Sequence, residues 1–368
     1  MKSNIKEKKA NKVKGQTQFQ KSLMKFKRNK RGLVSLLVII ILMFSVILGS
    51  FLTPYSWKEQ HPEYSFAPPT KINFFDEDGL TWPYVNKIIS ELDYETYSYK
   101  YKYDKEIKYP IKFLVRGETY NFLGLFETNL HLWGVNEGEI FLFGADNLGR
   151  DLFSRILVGG RISIGISLFA VLFSTIVGTI IGSITGYFSG KVDMLGQRII
   201  ETFIVFPQIL IWLSLSAAIP ADISPYLVLL GIIIVLAAAT WARLARDIRA
   251  KTLSVRENDH IQVAKTFGAS HTRIIFRHIL PLHVSHILVI ATLNLPAIVI
   301  GESTLSFLGI GIKSPLTSWG ALMRQAQNIN SIASHMWLLI PGIFILILVL
   351  AYNFLGDALR DSIDPYSN

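Results

Sequence analysis

Six long apolar stretches interrupt an otherwise polar chain: residues 32–52, 162–188, 197–219, 226–242, 284–308 and 337–355. Each is long enough and poor enough in charge to cross a hydrocarbon layer of about 30 Å as a helix. The third carries Phe206-Pro207 and is expected to kink there, because proline removes a backbone donor and crowds the preceding turn. In the second, Gly178, Gly182 and Gly186 stand four apart, so one face offers no side chains and invites a close helix neighbour. The fifth holds Asn294, Pro296, Glu302, Ser303 and Ser306 inside its apolar run.

Two polar regions punctuate these spans. Residues 53–143 are rich in Tyr, Lys and acidic residues and are broken by Pro54, Pro62, Pro68, Pro69, Pro83 and Pro110. Short β-like runs at 111–115 and 139–143 predict a small strand-bearing insert after the first span. Residues 256–281 read differently. Asp259 and Gln262 have capping-box spacing, and Ile261, Ala264 and Phe267 then recur on one helical face. Gly268 suits the left-handed position that closes a helix. Ser270 caps a second helix with Ile274, Ile275 and Ile279 on its apolar side, and Pro281 opens the next span. The pattern is two short helices meeting at Gly268-Ala269; on pattern alone, an ordinary basic loop fits as well.

Composition narrows the class. Half the residues are hydrophobic and the mean hydropathy is +0.37, which excludes an ordinary soluble enzyme. The net charge of +10 does not point to nucleic acid, because about a dozen Lys and Arg crowd into residues 1–31, just before the first span. That basic tail has two readings, a partner for anionic lipid headgroups or a solvated arm. An even number of spans puts both termini on the cytoplasmic side together with the 256–281 loop, in keeping with the basic residues between Arg243 and Pro281. Arg243, Arg246 and Arg249 share a helical face and read as a headgroup anchor.

Several chemistries drop out. There is no cysteine, hence no disulfide or thiol chemistry. His260, His271, His278 and His283 lack carboxylates at metal-ligand spacing, so no metal is expected. Gly190-Lys191 would need Gly at Thr185 and Ser or Thr at Val192 to form a phosphate-binding loop, and fails at both.

The 256–281 segment resembles the conserved cytoplasmic loop of permease subunits of bacterial ABC importers, which reads Glu-Ala-Ala, a spaced Gly and a closing Leu-Pro. Here it stands as Gln262-Val263-Ala264, Gly268 and Leu280-Pro281, with Gln262 in place of the usual Glu. Two further stretches resemble the dipeptide and oligopeptide branch, second-permease type. They are Gly144-Ala145-Asp146-Asn147-Leu148-Gly149-Arg150-Asp151 and Gly301-Glu302-Ser303-Thr304-Leu305-Ser306-Phe307-Leu308-Gly309, followed by Ser318-Trp319-Gly320. The resemblance covers the first span and residue 144 onward, and is weakest in the insert.

The expectation is therefore an all-α polytopic protein of the bacterial plasma membrane, with six transmembrane helices of the type I importer permease fold. Its divisions are a basic cytoplasmic tail (1–31), a first span (32–52), an extracytoplasmic insert (53–143) and a five-span core (144–368). The resemblance implies a sister permease, two ATPase subunits that bind ATP and Mg, an extracytoplasmic solute-binding protein and the lipid bilayer as partners. No cofactor is expected on this chain. ATPase coupling is assigned to Glu257, Asp259, Gln262, Ala264, Lys265, Phe267, Gly268, Ala269 and Ser270. Asn294, Ile298 and Glu302 share a face which, with Ser303 and Ser306, is the candidate translocation path or subunit interface. A Glu that only bonds a neighbouring helix fits that face equally. The competing function is a self-contained secondary transporter or channel with Glu302 as its ion site, though no pair of similar halves is evident.

Overall fold

The computed structural model describes residues 18–76, 79–95, 98–220 and 222–363. The first seventeen residues of the expected tail, and the last five of the chain, lie outside the described residues.

Five helices are long and apolar enough to cross a membrane, and a bent pair makes a sixth crossing. In chain order these are α2 (Lys30–Ile47), α3 (Leu152–Phe188), the pair α4 (Gly190–Val205) and α5 (Gln208–Ala217), α6 (Pro225–Val255), α8 (His271–Phe307) and α9 (Ile340–Ile363). Two shorter helices complete the numbering, α1 (Gln18–Arg28) ahead of the first span and α7 (Asp259–Thr266) in the 256–281 loop. The third span does more than kink at Phe206-Pro207: its halves meet at 88°. Several helices also outrun their apolar windows. α3 starts ten residues before the hydrophobic run, because Asp151 caps it there by accepting from the Ser154 backbone N–H.

The glycine stripe of α3 meets α6 as its spacing requires. A Cβ at Gly178, Gly182 or Gly186 would lie 2.7, 2.4 and 2.7 Å from the carbonyl oxygens of Trp241, Ala245 and Arg249. No side chain larger than hydrogen fits that seam without parting the helices. The seam ends in an ion pair. Arg249 Nη2 lies 2.7 Å from Asp193 Oδ2 on α4, so this arginine is held within the chain, whereas Arg243 and Arg246 remain exposed. A shared headgroup role for all three therefore does not hold.

The described end of the tail is helical. α1 packs on α9, with Phe26 buried and Gly32 pressed against Phe26 and Ala358. The insert carries more strand than its sequence advertises. β1 (Asn73–Asp76), β2 (Gly79–Asp93) and β3 (Ser98–Pro110) form one antiparallel sheet, and β4 (Lys112–Phe122) with β5 (Phe126–Gly134) a separate hairpin. The expected strand at 111–115 falls largely within β4. The one at 139–143 is irregular, and its hydrogen bonds go to loops instead: Ile140 N–H to Tyr55 Oη at 2.8 Å and Phe141 N–H to Thr70 Oγ1 at 2.9 Å. Ile140 and Phe141 are buried against the strands of the insert, in apolar clusters with Val85 and Ile111 and with Ala67 and Ile88.

Candidate functional site

The 256–281 segment folds as two helices about a glycine, for reasons that are local. α7 opens at Asn258, not Asp259, and Asn258 makes no side-chain cap bond. The Gln262 amide instead reaches back to Arg256 O (3.0 Å) and Glu257 Oε2 (3.1 Å), and Glu257 also pairs with Arg256 at 2.9 Å. At the other end Gly268 sits at φ +75°, with its N–H donating to Lys265 O (2.9 Å) and the Ala269 N–H to Ala264 O (3.0 Å). That crossed pair of bonds is a Schellman closure, with Ala264 and Ala269 as its small apolar contact. Ser270 then caps the next helix by accepting from Arg273 N–H at 3.4 Å.

The second helix is not separate from the fifth span. From His271 it runs on through a π-helical turn (Ile274–Ile279) into α8 without a break. The loop and the fifth span therefore share one continuous helix.

The loop rests on the end of α3. Ile261, Ile274, Ile275 and Ile279 bury against Tyr187. The Tyr187 hydroxyl shares a 2.9 Å hydrogen bond with His271 Nδ1, and Lys265 Nζ lies 5.4 Å from the tyrosine ring centroid. Glu257, Asp259, Lys265, Gly268 and Ser270 are all exposed, while Gln262, Ala264 and Ala269 are half-buried. Of the three residues at helical spacing, Ile261 is buried and Ala264 half-buried, whereas Phe267 is 86% exposed. Val263, one turn earlier on the same face, is 52% exposed. This Val–Phe pair is held out from a glycine-closed turn, and the i, i+4 spacing of two apolar residues was the signal for it. Tyr187, the support beneath, was legible only as the aromatic end of a span.

The second group of candidate residues turns inward. Ile298, Glu302 and Ser306 are fully buried and Ser303 nearly so, while Asn294 is half-buried. Ser163 Oγ on α3 donates to Glu302 Oε2 at 2.9 Å, and Ser306 Oγ donates to Glu302 Oε1 at 2.8 Å. Each serine oxygen in turn accepts a backbone N–H from the segment that follows α8: Trp319 to Ser163 (3.1 Å) and Ile312 to Ser306 (3.0 Å). Trp319 is itself buried and donates its indole N–H to Ile156 O at 2.8 Å. Glu302 is therefore the centre of a satisfied network within this subunit, not the wall of an open path.

A third polar cluster caps the insert's end of α3. Asp146 Oδ1 accepts from the Leu148 and Arg150 backbone N–H groups (2.8 and 3.0 Å), and its Oδ2 from Arg150 Nε (2.8 Å) and Arg155. Asp151 accepts from Ser154 N–H and Oγ; its complete burial pushes its carboxyl up to about 6, against the opposing pull of those bonds. Among the described residues, no group of three or more His, Asp or Glu is placed to hold a metal.

Comparison with known proteins fits these features. Residues 178–366, which span the glycine seam, the loop and the Glu302 network, match the family described as the binding-protein-dependent transport system inner membrane component. The chain belongs to that family. Residues 17–69 further match the N-terminal transmembrane domain of oligopeptide transport permease C. Glutathione transport system permease proteins GsiD of Escherichia coli O1:K1 / APEC and of Shigella boydii serotype 4 are each 40% identical over 223 residues, 61% of this chain and 71% of theirs. As a permease of the peptide branch of ABC importers, the protein is a multi-pass inner-membrane component of an ATP-driven uptake system, with the six-crossing helical core of the type I permeases. Membership also implies association with other permease, ATPase and binding-protein components.

Proposed function

We propose that this permease forms one half of a membrane path for short peptides and transmits ATP-driven motion to it through the 256–281 loop. The observation that carries the reading is the exposed Val263–Phe267 pair on a helix whose end is fixed by Gly268 and whose far side is bonded to α3. In this reading an ATPase subunit receives Val263 and Phe267 in a groove, and Glu257, Asp259, Lys265 and Ser270 form the polar rim of the contact. Closure of two such ATPases on ATP and Mg moves the loop, and the unbroken passage into α8 moves the fifth span with it.

Several finer assignments follow from the same reading. ATP is hydrolysed on the partners and not on this chain. A sister permease completes the path, and an extracytoplasmic solute-binding protein delivers the substrate. Both termini and the loop lie in the cytoplasm, with the insert (residues 53–143) outside. The branch of the family and the glutathione transport of the related proteins support a small peptide as cargo. Asn294, half-open on α8, is retained as a path residue. Ile298, Glu302, Ser303 and Ser306 serve as the scaffold that fixes α8 to α3.

The test is Phe267→Asp in the assembled transporter, read by co-purification of the ATPase subunits and by uptake per ATP hydrolysed in proteoliposomes. The expected outcome is loss of co-purification and of coupled uptake, with the chain still in the membrane. Undiminished co-purification and uptake would remove the loop from the coupling role.

A further inference from the structure

Two hairpin ends of the insert differ in chemistry. β2 and β3 turn through Asp93, Tyr94 and Glu95, whereas β4 and β5 turn through Phe122, Leu123, Gly124, Leu125 and Phe126. In that second turn Leu123, Leu125 and Phe126 are left 53, 78 and 57% exposed. The turn is closed by the Leu125 N–H donating to Phe122 O at 2.9 Å, with φ +51° at Leu123 and +73° at Gly124. Two consecutive positive φ values define a type I′ turn, which favours Asn or Gly at both central positions. Leucine enters the left-handed region only at an energetic cost, because its Cβ crowds the backbone. At Leu123 that cost is not offset by burial within the chain. A strained and exposed leucine, where asparagine would sit without strain, is accounted for by an apolar medium outside the chain.

The direction of the hairpin identifies the medium. α2 and α3 run antiparallel, since Val46 meets Gly160 and Gly49 meets Leu157. Higher residue numbers along α3, and lower ones from Ser50 back into α2, therefore both lead into the membrane. At the base of the hairpin Trp133 packs on Phe153, in the first turn of α3, with ring centroids 6.1 Å apart. Two residues nearer the tip, His131 Nδ1 lies 3.1 Å from Ser50 O. Nearer still, Tyr120 and Asn121 line a polar groove of about 340 Å³ together with Ser50 and Val158. Val158 is about 7.5 Å deeper along α3 than Phe153, at 1.5 Å per residue. The hairpin thus lies along the junction where the first span ends and α3 begins. The end of the first span is marked by Arg161, which donates to Val46 O and Ile47 O.

We propose that residues 122–126 dip into the lipid leaflet on the insert's side of the membrane and anchor the insert there. The occupant of this apolar tip is lipid because the first span, at whose end Ser50 O meets His131 of the hairpin, turns Ile41, Phe44 and Ile47 outward, 54, 63 and 45% exposed, to the same medium. Asn121 and Glu127, paired across the strands just behind the tip, stay at headgroup level.

The chain has no cysteine, so Leu125→Cys gives a unique attachment site for a nitroxide. The full chain is placed in phosphatidylcholine–phosphatidylglycerol vesicles, and relaxation of the label by oxygen is compared with relaxation by a water-soluble nickel chelate. Expected is an oxygen-to-nickel ratio severalfold above that of the same label at Glu95→Cys, in the polar β2–β3 turn. Equal ratios at the two sites overturn the proposal, because the tip then stands in water. A label at 125 shielded from both reagents also overturns it, in favour of a protein neighbour.

Discussion

The loop at 256–281 and the segment from Gly301 to Gly320 are alike as sequence, each a polar, glycine-bearing motif set into apolar runs, but they fold in opposite senses. In the first, the side chains that make the motif recognisable face out, and Phe267 is almost bare. In the second they face in, and Glu302, Ser306 and Trp319 have no exposure at all. Hydrogen bonding follows the same division. Gln262 of the loop bonds near neighbours in sequence, Arg256 and Glu257, and the loop's His271 reaches only to Tyr187 at the end of α3. Glu302 and Trp319 reach across more than 130 residues to α3. A recurrent motif thus marks either a surface kept for a partner or a network kept for the subunit itself. Position in the chain does not say which.

Mutations can break this contrast. The largest effect is expected at the inward motif: Glu302→Ala leaves Ser163 and Ser306 without their acceptor, at a cost of about 1–3 kcal/mol. Thermal unfolding in detergent measures it, and a melting point close to that of the unaltered protein would show that the network is not structural. Gly268→Val sits between the two classes. Nothing lies within 4 Å of an added Cβ, so there is no clash, but φ +75° costs a β-branched residue about 1–2 kcal/mol. The strain falls on the turn that sets the helix angle, so coupled uptake should drop even where the melting point moves little. Phe267→Ser should be the mildest in stability, within about 0.5 kcal/mol as for an exposed position. It is nonetheless expected to weaken binding of the ATPase subunits, measured by their recovery with the tagged permease. A clear fall in melting point with undiminished recovery would reverse the contrast.

Much of the loop was legible in advance because its causes are local. Gly268, Ser270 and the buried Ile274, Ile275 and Ile279 act within a few residues of one another, and the structure keeps each in its expected role. The glycine stripe of α3 was legible for a similar reason: three residues without side chains on one face admit a close neighbour, whichever helix it turns out to be. The exposure of Phe267 was not legible, because helical periodicity gives a face and not its environment. The direction of Glu302 was likewise open, since a carboxyl in a span has several ways to satisfy itself.

By itself the sequence determined the apolar crossings, the glycine-closed turn between them and the small-residue seam, because each depends on length, backbone freedom or side-chain size over a short stretch. Tertiary structure alone decided the 88° break of the third span, the contact of the β4–β5 hairpin with Ser50 and Phe153, the pairing of Arg249 with Asp193 and the enclosure of Glu302. Those outcomes rest on contacts between segments tens to more than a hundred residues apart. Only when the helices have packed is it settled which polar groups find partners inside the chain and which remain for another.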